Sequence, residues 1–419
     1  MANNNERKTS STRMASAGPA SKPARKRVVK TAQPSRRTPF ETIALVLQGG
    51  GALGSYQAGV YEGLAEADLL PDWVAGISIG ALNTAIIAGN PPETRVARLR
   101  EFWETICRPA VALPGAEMLQ GALDRSGAKV RKAYGAFEAW RAIVEGQRHF
   151  FKPRGLAPWL GLNQGTAEAS FYDTTELKST LERLVDFDRV NAGETRVSVG
   201  AVNVRTGNFE YFDNTRGRAR GRLRAEHFMA SGALPPALPA IEIDGEFYWD
   251  GGIVSNTPLS EVLQCSPRRD TLSFQVDLWS ARGPLPQNVF DVAERQKDIQ
   301  FSSRTRAITD SMGRQQRYRR LLRDVLERIP PEQRDSADPL WADAAEVACG
   351  KHYAVIQLIY QNKEWEGLSK DYEFSPGTMN AHWSSGLEDI TASLANKRWL
   401  ELPPQGREFV TYDHHRVAE

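Results

Sequence analysis

The first pattern along the chain is an apolar run, then a cluster of glycines, then apolar residues at helical spacing. Ile43–Leu47 is uniformly apolar, which is typical of a strand covered on both faces. Gly49–Gly54 follows it directly. The apolar positions beyond this loop recur every three or four residues, at Tyr56, Val60, Leu64 and Ala67. The pattern predicts a strand, a glycine loop and a helix.

A second strand and helix are predicted within fifty residues of the first pair. Trp73–Ile77 has strand character, and Ile79–Ala88 is a run of small and apolar residues typical of a buried helix. The uncharged stretch Trp73–Pro92 is nearly long enough to span a bilayer, but its glycines and polar residues favour a strand, a turn and a helix. Two such units predict a three-layer α/β/α fold around a mostly parallel sheet.

The middle of the chain is predicted to be mainly helical between residues 93 and 190. The predicted helices are Val96–Cys107, Val130–Ile143 and one that opens at Asp173–Glu176. Between the last two lies Phe150–Leu160, which is aromatic, broken by prolines and irregular. We interpret this segment as a candidate lid or acyl-chain contact, with a buried core patch as the alternative.

Strand character resumes after residue 196. Two hairpins are predicted, over Val197–Phe212 and Ile241–Trp249, and the second delivers Asp250 to its end. Thr271–Leu278 is a further apolar strand, which we expect to close the sheet. Beyond Pro284 the pattern predicts an Arg-rich helical stretch, a strand at Tyr353–Tyr360 and a helix at Ser385–Asn396.

Charge separates the start of the chain from the rest. Residues 1–38 hold ten Lys or Arg against one acid, Glu6, so this segment carries +9 while the whole chain is only +2. Residues 1–40 are therefore predicted to be a disordered basic tail. An anionic lipid surface is the alternative partner, and no nucleic acid is expected.

Three cysteines and the absence of a secretion signal bear on location. Cys107, Cys265 and Cys349 are odd in number and far apart, which favours neither a disulfide framework nor a zinc site. No short apolar run follows an N-terminal charge, as a signal peptide requires. A cytoplasmic protein is expected, with peripheral contact to a membrane or lipid granule as an open alternative.

Candidate chemistry begins at Gly76-Ile-Ser-Ile-Gly80, which matches the Gly-x-Ser-x-Gly elbow. In such an elbow a strand turns sharply into a helix, and the flanking glycines leave room for strained backbone around an exposed hydroxyl. The helix N-terminus also favours negative charge near Ser78. Ser78 is therefore a candidate nucleophile, although the pentapeptide alone is weak evidence.

The loop Gly49–Gly54 also matches the Gly-x-Gly-x-x-Gly pattern of dinucleotide-binding folds. That fold requires an acid at the end of the next strand, where this sequence has Gly76-Ile-Ser78 instead. An alternative role is to aim the backbone N–H groups of Gly50 and Gly51 at an oxyanion formed on Ser78. A tight turn without chemistry is the third possibility.

Asp250-Gly-Gly252 supplies a carboxylate at a hairpin end. Alone, Asp-Gly is usually a turn. The ordered set of glycine loop, serine elbow and Asp-Gly-Gly is more specific than any one of its parts, and it resembles the patatin-like phospholipases. The resemblance extends over Ile43–Leu278. It includes the connecting segments Phe171–Thr175, Leu184–Asp188, Ala230–Pro235 and Ser255–Pro258.

The resemblance implies a serine lipid acyl hydrolase of phospholipase A or esterase type, with neither cofactor nor metal. It implies a catalytic dyad of Ser78 and Asp250 without histidine. The implied oxyanion loop contains Gly49, Gly50, Gly51, Ala52 and Gly54, and the elbow and motif glycines are Gly76, Gly80, Gly251 and Gly252. The implied fold is a three-layer α/β/α patatin-like sheet at 41–280, followed by a mixed α/β C-terminal extension of unknown role at 281–419.

Three alternatives stay open. In an α/β-hydrolase triad His352 or His382 would follow Ser78 and Asp250, although several strands precede the nucleophile in that fold. A non-catalytic surface-binding protein would use the basic tail or the eight arginines of Arg304–Arg328 on an anionic membrane. A storage polyester or its oligomers would present the same ester chemistry as a lipid. The sequence does not indicate an oligomeric state.

Overall fold

A nine-stranded sheet forms the centre of the computed structural model, which describes residues 38–108, 126–161, 165–302, 305–334, 337–404 and 406–415. The strands are β1 (Thr42–Leu47), β2 (Trp73–Gly76), β3 (Lys152–Pro153), β4 (Tyr172–Asp173), β5 (Arg196–Asn203), β6 (Phe209–Asp213), β7 (Ile241–Ile243), β8 (Glu246–Asp250), β9 (Thr271–Asp277), β10 (Tyr353–Ile359) and β11 (Phe409–Asp413). Strands β3 and β4 form a separate small ribbon.

The helices surround this sheet. They are α1 (Ser55–Glu66), α2 (Ile79–Ala88), α3 (Arg95–Ile106), α4 (Ala128–Glu145), α5 (Thr175–Leu184), α6 (Phe187–Ala192), α7 (Ala225–Ser231), α8 (Leu259–Gln264), α9 (Val289–Phe301), α10 (Thr305–Arg328), α11 (Pro339–Val347) and α12 (Pro376–Ala395). The predicted helices and hairpins of the middle region are confirmed within a few residues. Among the described residues, no helix is both long and apolar enough to cross a membrane.

The strand order is β11-β10-β9-β1-β2-β5-β8-β7, with β6 paired to β5. The first six strands of that order run parallel to one another. Strands β6 and β8 are antiparallel to β5, and β7 is antiparallel to β8. The mostly parallel α/β prediction is confirmed. The expectation that Thr271–Leu278 closes the sheet is wrong, because β9 lies between β1 and β10 and pairs with both.

Alternation along β1 shows why the sheet is covered on both faces. Leu45 and Leu47 belong to the large apolar core that also contains residues of α1, α2, α3 and α12. Ala44 and Val46 belong to a second cluster with Leu259 and Val262 of α8. Successive side chains of a strand point to opposite faces, so a uniformly apolar strand requires a helical layer on each side.

The C-terminal region shares this sheet and this core. Strands β10 and β11 extend the sheet, and α12 packs on α1. The contact between the two helices is backbone to backbone. A Cβ on Gly59 would lie 1.9 Å from the Trp383 carbonyl oxygen, and a Cβ on Gly386 would lie 2.0 Å from that of Tyr56. The segments before and after residue 280 therefore belong to one compact unit.

The predicted boundary of the tail, at residue 40, lies too far along the chain. Phe40 is buried, and the Thr38 hydroxyl donates to the Leu400 carbonyl oxygen. The interpretation of residues 1–37 as a basic tail lies outside the described residues.

Candidate active site

The Ser78 turn has the backbone shape of a nucleophile elbow. Ser78 joins β2 to α2 with φ 56° and ψ −124°, a conformation that is strained for a residue with a side chain. Its N–H is held by the carbonyl oxygen of Ser231 at 3.1 Å and by the Ser231 hydroxyl at 3.0 Å. These bonds fix the turn and leave the half-buried Ser78 side chain at a cavity.

The two glycines of the elbow are required by contact with the backbone. A Cβ on Gly76 would lie 2.3 Å from the Gly80 carbonyl oxygen, and one on Gly80 would lie 2.4 Å from the carbonyl oxygen of Leu47. Neither neighbour is a flexible side chain that could move aside. The turn therefore packs directly against the end of β1, which brings Ser78 beside the glycine loop.

Asp250 lies at the end of β8, opposite Ala201 on β5. Its carboxylate accepts a hydrogen bond from the Gly252 N–H at 2.7 Å, and the Ser78 side chain lies near enough to influence its pKa. Only 2% of Asp250 is exposed. Burial raises the pKa of this carboxyl to about 7, although the Gly252 N–H and the nearby Ser78 side chain act to lower it. The group can therefore exchange a proton near neutral pH.

Two glycines of the loop after β1 line the same cavity. The N–H of Gly49 donates to the Asn256 carbonyl oxygen at 3.3 Å, and the N–H of Ala52 donates to that of Asp371 at 2.7 Å. The N–H groups of Gly50 and Gly51 have no partner among the described residues, and both glycines line the cavity with Ser78. Within the predicted oxyanion loop, the N–H groups of Gly49 and Ala52 are thus already hydrogen-bonded to other parts of the fold.

The other motif glycines serve packing. A Cβ on Gly54 would lie 2.6 Å from the Ile79 side chain, and one on Gly251 would lie 2.5 Å from the Gly200 carbonyl oxygen. A Cβ on Gly252 would lie 2.8 Å from the Asn256 side-chain oxygen. These glycines let the glycine loop, the elbow and the β8 end approach one another.

Three residues that the sequence analysis did not single out hold the glycine loop in place. The Gln48 side-chain oxygen accepts the N–H groups of Leu278 at 2.6 Å and Trp279 at 3.0 Å. The Gly49 carbonyl oxygen accepts the Trp279 indole N–H at 2.8 Å and the Asn256 amide at 3.0 Å. The loop is thus tied to the end of β9 and to the segment after β8. Of these three residues, only Asn256 lies in a segment that carries the family resemblance, Ser255–Pro258.

The cavity beside Ser78 has a volume of about 290 Å³ and is lined mainly by apolar side chains. The apolar lining residues include Ile79, Leu82, Ala142, Ile143, Phe150, Phe151, Leu177, Leu234, Leu238 and Phe374. Phe150, Phe151 and Phe374 pack edge to face, with ring centroids 5.2 to 6.2 Å apart. The first two residues of the predicted segment Phe150–Leu160 therefore contact the cavity.

The C-terminal region contributes one wall of this cavity. Asp371, Tyr372 and Phe374 line it, although the sequence analysis assigned no chemistry to their segment. Two ion pairs to α9 hold the segment, between Lys370 and Asp298 at 2.6 Å and between Lys297 and Asp371 at 2.5 Å. Lys370 is almost fully buried. A buried lysine is stable only with such a partner.

The histidines of the alternative triad lie elsewhere. His352 contacts Asp270 at 3.1 Å, and the buried His382 contacts Glu366 at 2.5 Å. Neither lines the cavity that contains Ser78 and Asp250. Among the residues described, no group of three His, Cys, Asp or Glu side chains could hold a metal ion.

Comparisons with known proteins bear on the family. Lysophospholipase nte1 of Aspergillus terreus is 40% identical over 76 residues, which cover 15% of this chain and only 5% of that protein. VipD of Legionella pneumophila aligns with a TM-score of 0.34 and 13% identity over 86% of this chain and 67% of its own, a likeness too low to support an inference.

Two family models match the chain. One, described as "Patatin phospholipase", matches residues 299–406, which include the Asp371 segment. The other, described as "Patatin-like phospholipase", matches residues 45–263, which is more than half of the chain and includes the elbow, the glycine loop and Asp250. The chain therefore belongs to the patatin-like phospholipase family.

Proposed function

We propose that this chain is a serine lipid acyl hydrolase of phospholipase A or esterase type, with Ser78 as nucleophile and Asp250 as general base. The observation that carries the proposal is that Ser78, in its strained turn, and the buried Asp250 line one cavity together with Gly50 and Gly51, whose N–H groups have no partner among the described residues. Nucleophile, base and oxyanion donors are the three parts that acyl transfer through a serine requires.

In the acylation step Ser78 Oγ attacks the ester carbonyl carbon while its proton passes to Asp250. The negative charge on the carbonyl oxygen is stabilised by the Gly50 and Gly51 N–H groups. The tetrahedral intermediate then collapses, the carbon–oxygen bond to the alcohol breaks, and Asp250 returns the proton to the leaving alcohol. The product is an ester between the acyl group and Ser78.

Deacylation repeats these steps with water. Asp250 takes a proton from water, the hydroxide attacks the acyl carbon, and the bond to Ser78 Oγ breaks as Asp250 returns the proton to that oxygen and the fatty acid leaves. The raised pKa of Asp250 supports this role, because a base with a pKa near the working pH transfers protons in both directions efficiently. The same burial keeps the site dry, which strengthens the oxyanion bonds.

The cavity supports an acyl chain as the part of the substrate that is bound. About 290 Å³ lies at the lower end of the range for small-molecule sites. Its apolar lining suits one hydrocarbon chain better than a polar head group. A phospholipid or glyceride would thus place its acyl chain inside and its polar part at the mouth.

A fluorophosphonate probe tests the proposal, since it phosphonylates only an activated serine. We expect labelling of Ser78, located by peptide mass, with loss of labelling in Ser78→Ala. Release of fatty acid from a panel of phospholipids, lysophospholipids, glycerides and polyester oligomers would then identify the ester class. An unlabelled Ser78 in folded protein would contradict the proposal.

A further inference from the structure

Helix α4 carries apolar side chains on the face that points away from the core. Phe137, Trp140, Ile143 and Val144 are 48% to 56% exposed, whereas Ala139 and Ala142 on the opposite face are buried. Phe137 and Trp140 stack with their ring centroids 6.1 Å apart. A helix in water normally turns polar residues outward, so this arrangement requires an explanation.

The turn after β3 extends this apolar surface. Leu156, Trp159 and Leu160 are 69% to 77% exposed. The Trp159 ring lies against Phe171, with the centroids 4.7 Å apart, and the Phe171 N–H donates to the Pro236 carbonyl oxygen. The turn is therefore held next to the segment that contributes Leu234 and Leu238 to the cavity.

Both apolar surfaces border the mouth of the cavity. Ile143 on α4 and Leu234 each line the cavity and are also exposed on the surface. The Tyr172 hydroxyl donates to the Ile143 carbonyl oxygen at 2.7 Å, and Tyr172 follows Phe171 directly. A continuous path of contacts thus joins α4 to Trp159 along the edge of the opening.

Cations are interspersed with these apolar residues along the chain. Residues 126–154 contain seven Lys or Arg and two Glu, a net charge of +5. Arg141 pairs with both of these Glu residues. Lys129, Arg148 and Lys152 are exposed and form no ion pair within the described residues, although the charge of Lys152 acts on Asp173. Exposed apolar side chains together with exposed cations are the two features that bind a protein to an anionic membrane surface.

We propose that Phe137, Trp140, Leu156, Trp159 and Leu160 form a docking face that binds an anionic phospholipid surface and places the cavity mouth against it. The inference rests on the proposed function, because it names the surface from which the ester enters. Substrate would pass directly from the lipid layer to the cavity, without crossing water.

The docking face differs from the Arg-rich helix α10, which was the membrane-binding candidate of the sequence analysis. Ile308 and Met312 of α10 pack against the second core cluster, and Arg320 pairs with Glu408. No residue of α10 lines the cavity. Membrane contact through α10 would thus bring no part of the cavity wall to the lipid.

Vesicle flotation of the full chain tests the docking face. The protein would carry Ser78→Ala, so that binding is measured without hydrolysis, and the vesicles would be phosphatidylcholine with 30% phosphatidylglycerol or phosphatidylcholine alone. We expect Phe137→Ser/Trp140→Ser/Trp159→Ser to weaken binding at least tenfold. Lys129→Gln/Arg148→Gln/Lys152→Gln should weaken binding to the anionic vesicles by roughly fivefold per cation, with a smaller effect on neutral ones.

The matched control is Leu321→Ser/Val325→Ser on α10, which removes apolar side chains of similar exposure and should leave flotation unchanged. When the same substitutions are made in enzyme that retains Ser78, the rate of hydrolysis of soluble p-nitrophenyl butyrate should stay within twofold of that of the unsubstituted enzyme. Such activity also shows that each variant is folded. Binding by the aromatic triple variant at the unsubstituted level, or equal loss in the α10 control, would overturn the docking face. Absence of p-nitrophenyl butyrate hydrolysis in the unsubstituted enzyme would instead count against the proposed function.

Discussion

Two parts of the cavity wall are held in place by different interactions. One, named the catalytic wall for its proposed role, contains Gly49–Gly51, Ser78 and Asp250. The other, the C-terminal wall, contains Asp371, Tyr372 and Phe374. Backbone contacts between glycines and carbonyl oxygens fix the first. Buried ion pairs to α9 fix the second. The glycines can be recognised as local motifs in the sequence, whereas the ion pairs join residues more than seventy positions apart that carry no such motif.

The two walls meet at one hydrogen bond. The Ala52 N–H donates to the Asp371 carbonyl oxygen at 2.7 Å, directly after the two glycines proposed as oxyanion donors. The position of the C-terminal wall is thereby coupled to the shape of the glycine loop. A change in the α9 ion pairs should therefore affect catalysis although no charge of α9 lies in the reaction path.

The largest expected effect comes from the catalytic wall itself. Ser78→Ala and Asp250→Asn should each lower kcat/KM for p-nitrophenyl butyrate by about 10³-fold or more, since one removes the proposed nucleophile and the other the proposed base. His352→Ala should retain activity, because His352 contacts Asp270 and not the cavity. An inactive but folded His352→Ala or His382→Ala variant would restore the triad hypothesis.

Removing the buried cation tests the C-terminal wall. Lys370→Met should lower the free energy of unfolding by about 3 to 5 kcal/mol, because it leaves Asp298 buried without a counter-charge. Lys351→Met is the control, since its pairs with Glu41 and Asp270 are partly exposed, and should cost less than about 1 kcal/mol. Urea unfolding measures both. Equal losses in the free energy of unfolding would show that the buried ion pair contributes no more than the partly exposed pairs of Lys351.

The pH dependence of stability reports on the ionisation of Asp250, the titrating residue of the proposed dyad. Because the folded pKa of Asp250 is raised to about 7, the folded state binds more protons than the unfolded state between pH 4 and 7. Stability from this group therefore falls as pH rises through that window. Asp250→Asn removes the effect, so its stability relative to the unsubstituted protein should rise by about 2 to 4 kcal/mol from pH 4 to pH 8. A constant difference in urea unfolding would contradict the raised pKa.

The same ionisation should appear in catalysis. The proposed base Asp250 can accept a proton only when it is charged, so kcat/KM should rise with pH through a midpoint near 7. A midpoint near 4 would show that the buried carboxylate is already ionised in the free enzyme.

A smaller effect is expected where the walls touch. A Cβ on Gly51, which has φ +55°, would lie 2.1 Å from the Asp371 carbonyl oxygen, so Gly51→Ala must displace the C-terminal wall. We expect a loss of about 10- to 100-fold in kcat. Gly207→Ala is the matched control, because Gly207 has φ +69° with open space around it. Similar loss of activity in the control would attribute the effect to backbone strain alone.

The sequence indicated the residues of the catalytic wall better than those of the C-terminal wall, and the reason is physical. The hydrophobic pattern identified β1, β2 and the helices after them, and glycines at fixed spacing marked the turns where backbones must approach closely. The roles of Gln48 and Trp279 could not be predicted in this way, because their bonds depend on β9 lying beside β1. The same holds for Lys370 and Asp371, whose partners on α9 become neighbours only in the folded sheet. Periodicity also failed to show that β10 and β11 continue the sheet, since it carries no information on strand order.

The crossing of α1 and α12 has a consequence for synthesis of the chain. Gly59 and Gly386 bring these helices into backbone contact, so α1 cannot bury that face until α12 has left the ribosome. Strand β9 likewise has an unpaired edge until β10 is made. Such long-range pairing is slow and leaves apolar surface exposed in the meantime. The nascent chain should therefore keep this apolar surface and this strand edge exposed until β10 and α12 have been made.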